Sequence, residues 1–192
     1  MTQTISKMTG QSEIHASMVE FVPEDSTSPG FATETINKVS AEPQTKTTDA
    51  VSNECKGQIL ATIPETTTVT GTKLTLTGVT LLLDALPLLQ GGAIEKDEDG
   101  TSFKSYTPPI NGQVSGAAFT TNVYEAVMEG SNVMYYHKVS YLHCKGTPIS
   151  INAEDNTFFA PEYTVNSTPG KDEAPYKITK VESLPVYNYV KK

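Results

Sequence analysis

The sequence predicts an all-β protein with one short α-helix and one long β-hairpin. Three observations carry this expectation. Leu74 and Leu76 alternate with Lys73, Thr75 and Thr77, the period-two pattern of a half-buried strand, and the chain is rich in Thr and other β-branched residues. Turn clusters such as DSTSPG at 25–30, and the breakers Pro108, Pro109, Asn111 and Gly112, punctuate it. One Leu-rich stretch departs from strand spacing and stops at Gly91 and Gly92.

Taken in order, residues 1 to about 12 are polar and read as an arm. EIHASMVEFVPE alternates in part and predicts a first strand. ATETINKVSAEPQTKTT is rich in β-branched residues. Pro43 removes a ladder donor, so this strand is expected to end there or to lie at an edge. GQILATIPE places Ile59, Ala61 and Ile63 on one strand face, and TKLTLT is the next strand. GVTLLLDALPLLQGG predicts the helix over about 81–90. Asp84 is its expected cap, and Pro87 is tolerated in the first turn. Leu82, Leu83, Leu86 and Leu89 are the expected buried stripe.

The segment from Glu95 to the PPING breakers reads as a loop with an acidic run at Glu95, Asp97, Glu98 and Asp99. The long hairpin follows over 113–144, with QVSGAAFTTNVYEAVME and VMYYHKVSYLHCKG as arms and EGSN as turn. In the second arm Val133, Tyr135, His137, Val139, Tyr141 and His143 are expected on one face. Met134, Tyr136, Lys138, Ser140, Leu142 and Cys144 are expected on the other. TFFAPEYTVNS and YKITKVESLPVYNYV supply the last strands.

Composition narrows function. The net charge is −8, and all 14 basic residues are Lys. With no guanidinium fork for phosphate or guanine, specific nucleic-acid binding is not expected; a surface past which nucleic acid slides is compatible. No run approaches about 18 apolar residues, so no membrane span is expected. The N-terminal residues lack an apolar signal core, and Cys55 and Cys144 are read as reduced thiols made in a cytosol.

No catalytic, cofactor-binding or metal residues are assigned. His137 and His143 share one strand face six residues apart, roughly 20 Å at ~3.3 Å per residue, too far for one metal. His143 and Cys144 point to opposite faces of a regular strand. There is no G-x-S-x-G nucleophile turn, and GGA at 91–93 has no Lys-Ser/Thr to make a phosphate loop. The acidic run lacks calcium-loop spacing and reads as solvated. A Thr-rich, Arg-free, acidic sheet protein with long loops fits an assembling subunit best.

From Lys38 the ordered segments NKVSAEPQTKTTDAV, LATIPETTTVTGTKLTLTGVTLLLDALPLLQGG, YTPPINGQ, VMYYHKVSYLHCKGTPISI, TFFAPEYTVNSTPG and YKITKVESLP resemble the tail tube proteins, the major tail proteins of long-tailed bacteriophages and phage-derived tail particles. The resemblance covers about 38–186. It implies a two-sheet β-sandwich or open barrel. It also implies six-membered rings stacked into a tube, with each hairpin 113–144 bordering an acidic lumen through which DNA passes unbound. Implied partners are further copies of the chain and the tape-measure, tail-terminator and baseplate proteins. The implied location is the virion tail, after assembly in the bacterial cytoplasm. Residues 1–37 stand apart as an arm or extension with room for one strand, and 38–192 form the tail-tube-like domain. Two other readings compete: an immunoglobulin-like binding or capsid-decoration module, since short regular strands also fit a sandwich, and an enzyme with a convergent site.

Overall fold

The computed structural model describes residues 12–25, 29–56, 58–100, 102–110, 116–150 and 160–187; the expected polar arm, residues 1 to about 12, lies outside them apart from its last residue. The fold is all-β and antiparallel with one short helix. The strands are β1 (Ser12–Pro23), β2 (Phe31–Thr33), β3 (Ile36–Thr48), β4 (Val51–Cys55), β5 (Gln58–Ile63), β6 (Thr66–Gly78), β7 (Ala93–Lys96), β8 (Phe103–Thr107), β9 (Phe119–Glu129), β10 (Asn132–Gly146), β11 (Glu162–Ser167) and β12 (Lys177–Val181). The main sheet runs β2-β1-β9-β10-β11-β6-β3, with β12 added on β10. β3, the last strand, packs back on β1, so the sheet curls around its core.

The buried face shows how pattern becomes packing. Val19 and Phe21 of β1, Leu74 and Leu76 of β6, Phe119 and Val123 of β9, and Tyr163 and Val165 of β11 point inward and are essentially water-free. Phe21 and Phe119 meet edge to face at 5.8 Å, a favourable aromatic geometry. β1 pairs along β9 from Ser12 to Pro23 and puts Val19 and Phe21 in the core, and β3 runs across position 37/38. Period-two alternation in β1 is broken by register shifts near Ile14 and Met18, yet the strand spans nearly the expected residues.

The Leu-rich stretch folds as a 3-10 turn (Leu83–Ala85) running into α1 (Leu86–Gln90). Leu86 and Leu89 are buried; Leu82 and Leu83 are half-buried against the same core. Pro87 sits in the first turn, and Gly91 ends the helix at φ 79° with its N–H on the Pro87 carbonyl. The expected Asp84 cap is corrected: neither helical start has a side-chain cap, and the Leu82 N–H donates instead to the Tyr163 hydroxyl at 2.8 Å. The C-terminal end is fixed by Tyr106, whose hydroxyl donates to the Gly91 carbonyl at 2.6 Å, and by Gln90, whose side chain accepts the Ile149 N–H at 2.9 Å.

The acidic segment is also corrected. It is not a free loop but the ribbon β7–β8, turned through Asp97 and Gly100. The Ser102 N–H donates to the Asp99 carboxylate at 3.3 Å, so one of the acids closes the turn. Both strands lie largely in water, which removes the alternation that would reveal them.

Candidate assembly surface

β3 and β6 pair along their whole length, from Ile36 opposite Gly78 to Thr48 opposite Thr66. Their two halves have different chemistry. The inner half carries Ile36, Val39, Leu74 and Leu76 into the core. The outer half, Gln44 to Thr48 against Thr66 to Thr70, is Thr-rich and exposed on both faces. Pro43 lies in this edge strand, where its missing N–H is tolerated. Past the outer half the chain continues as β4–β5, two strands that pair with each other and with no other described strand. At ~3.3 Å per residue, the outer half and β4–β5 span roughly 15 Å each.

Every described residue of β4 and β5 is exposed. Among them are Val51, Ile59, Leu60 and Ile63, each at least 60% exposed. Val51 stands opposite Ile63, so two aliphatic side chains share one face of the ribbon. A register shift at Leu60 breaks the ladder. Cross-strand hydroxyl pairs hold the ribbon: Thr47 with Thr67 at 3.1 Å and Ser52 with Thr62 at 3.3 Å. A two-stranded ribbon in water is marginal alone, and strand edges with exposed aliphatics are a template for another chain.

β9 and β10 form the expected hairpin, and much of its edges is covered: β1 lies along β9, and β12 at Tyr136–Ser140 and then β11 at Cys144–Gly146 lie along β10. The tip, with Val133 and Met134, is exposed, and so are Leu142, His143 and Lys145 further along β10. Open edges beside exposed aliphatics are found in the arm from Gln44 to Thr70.

The expected faces of β10 also change midway. Val139 and Tyr141 are buried as one face, but a bulge at Leu142 and His143 inserts an extra residue. His143 takes φ 50°, unusual without glycine, and Cys144 turns into the core in its place. β10 changes partner at this corner, from β12 over Tyr136–Ser140 to β11 at Cys144–Gly146. His143 faces water between two carboxylates, with Nδ1 2.8 Å from Glu24 and Nε2 2.9 Å from Glu173. His137 stays on the strand with its ring 5.4 Å from Tyr135. Cys144 is buried, its thiol pKa pushed up by desolvation, and Cys55 is exposed on β4; neither is in a disulfide.

On the other face of β1, β9 and β10 lies a cleft of about 700 Å³ whose lining includes Asn122, Lys138, Glu173 and Tyr176. At its floor the buried carboxylate of Glu20 accepts from Asn122 at 2.9 Å and from the Tyr124 hydroxyl at 3.0 Å, and Tyr187 of the C-terminal segment donates to its second oxygen. Burial, the Glu20 hydrogen bond and the Glu20 charge together hold the Tyr124 phenol well above its usual range. Among the described residues no group of three His, Cys, Asp or Glu side chains is placed to hold a metal, and no helix is long and apolar enough to cross a membrane. No family model matches the chain, and no curated protein matches it.

Proposed function

We propose that the chain is a structural subunit that self-assembles into stacked, hexameric rings forming a phage tail tube, a conduit for DNA. The observation that carries this reading is the arm from Gln44 to Thr70, with paired strands, open edges and Ile59, Leu60 and Ile63 in water. A monomer gains nothing from that arm, whereas a neighbouring copy can cover its aliphatics and pair its edges. The ordered resemblance over 38–186, the net charge of −8 and the absence of Arg support the same reading. Its partners are then further copies, the tape-measure, tail-terminator and baseplate proteins, and DNA that passes without specific binding. Its place is the virion tail, assembled in the bacterial cytoplasm.

The test is negative-stain microscopy of the purified chain beside a variant in which a two-residue Asn-Gly turn replaces residues 49–65. The expected result is rings or tubes for the parent chain and dispersed, folded subunits for the variant. Tubes from the variant would remove the arm from the assembly. Uniform monomers from the parent at high concentration would overturn the conduit. The cleft above Glu20 favours the second reading, a binding or capsid-decoration module, in that case.

A further inference from the structure

His143 sits where three segments meet. The bulge of β10 presents it, the end of β1 supplies Glu24, and the turn at residues 170–173 supplies Glu173. A neutral imidazole carries one N–H, so it can donate to one carboxylate only. Here both ring nitrogens stand within 3 Å of a carboxylate oxygen, an arrangement satisfied by the doubly protonated ring. We propose that His143 is a pH-sensitive latch: protonated, it ties the 170–173 turn to the corner of β10; deprotonated, it releases that turn and opens the side of the cleft that Glu173 lines.

The geometry also says which side lets go. Glu24 is held twice, since the backbone N–H of His143 donates to the same Oε1 at 3.0 Å, and the Glu24 N–H is fixed on the Ala118 carbonyl at 2.9 Å. Glu173 has its ring contact and the Gly170 N–H of its own turn at 2.8 Å. On losing a proton the ring therefore keeps Nδ1–H toward Glu24 and turns a lone pair toward Glu173. Two like-signed electron-rich groups then face each other at 2.9 Å, and the turn moves off. Among the described residues, Glu24 and Glu173 are the charged groups in contact with the ring. Lys171 and Asp172 are exposed on the same turn, and Cys144 beside the ring is buried in the core.

The turn leads through Ala174 and Tyr176 into β12, and all three line or border the cleft. The latch is consequently coupled to cleft access, whether the chain is alone or assembled. The sign follows from the two carboxylates, which raise the His143 pKa above its ordinary value through the Glu24 hydrogen bond first. The stabilisation is complete below the free-histidine range near ~6.5 and is lost as pH rises through the raised value.

The test uses the full chain. Nitrogen-15 NMR of labelled histidine gives the His143 titration and the tautomer left at high pH. Hydrogen exchange of residues 168–176, normalised to unstructured rates, gives the opening of the turn across the same range. The expected results are a midpoint above that of a free histidine and the Nδ1–H tautomer above it. Exchange protection should fall about tenfold for each pH unit between the open-state and latched pKa values. In Glu173→Gln the midpoint should drop and protection should no longer depend on pH. A His143 that titrates at or below the free value, an Nε2–H tautomer at high pH, or protection that is flat with pH in the parent chain each overturns the latch.

Discussion

Gly146→Ala tests the seat of the helix. Gly146 ends β10 directly beneath Leu89. A Cβ placed there meets the Leu89 carbonyl oxygen head-on, and stands 2.8 Å from the carbonyl carbon and 3.0 Å from the Cα. The carbon contact alone is 0.6 Å short of the 3.4 Å where ordinary van der Waals contact begins. Backbone is the obstacle, so no side-chain rotation relieves it. α1 cannot slide away cheaply, because Tyr106 holds the Gly91 carbonyl and Gln90 holds the Ile149 N–H. Overpacking of this kind costs about 1–3 kcal/mol, with the upper end expected here. In a chain of this length each kcal/mol moves the Tm by about 2–4 °C, so the expected loss is roughly 6–12 °C. The assay is reversible thermal unfolding of the unassembled chain beside Lys145→Ala, an exposed neighbour expected within ~0.5 kcal/mol of the parent. A Gly146→Ala melting point within ~1 °C of the parent would refute the close approach of helix and strand.

Other outcomes follow from the same packing. Leu86→Ala should lower stability by ~2–5 kcal/mol in denaturant titration, since Leu86 is in the core. Val127→Pro should give an unfolded or insoluble chain, because Val127 is buried between two paired strands and proline there removes a ladder hydrogen bond mid-sheet; a normal circular dichroism spectrum would contradict its place mid-sheet. Ile59→Lys with Ile63→Lys should leave the Tm of the free subunit within ~1 °C, as both residues are exposed, while light scattering shows no assembly. Burial raises the Tyr141 pKa to about 12. Stability should therefore fall between about pH 10 and that value, as the unfolded phenol ionises and the folded one does not, and ultraviolet titration alongside melting curves would check it.

How far residues announce their structure depends on whether they separate oil from water. Leu74 and Leu76 alternate with half-exposed Lys73 and Thr75, so β6 was readable over its inner half. The Leu spacing and the stop at Gly91 likewise marked the helix. The outer half of the same strand has both faces in water, and no alternation survives to mark it. β7 and β8 were hidden for that reason. The corner of β10 was hidden differently: nothing in Leu142-His143-Cys144 signals a bulge, because its positive φ falls on a histidine and not a glycine. The His143 contacts with Glu24 and Glu173 join residues 119 and 30 positions apart, a pairing that only the folded sheet creates.

The change of chemistry along β3 and β6 makes one strand pair into two units of local stability. Its inner rungs open only when the core does, whereas the outer rungs and β4–β5 have solvent on every side and little apolar contact to lose. Amide exchange should therefore step sharply near Gln44 and Gly71 along a single continuous ladder. A protease should cut the free subunit between residues 49 and 65 while leaving the sheet whole. Covering the ribbon would raise its opening energy toward that of the core, so the cleavage rate at one short segment would report, without imaging, what fraction of subunits has found a neighbour.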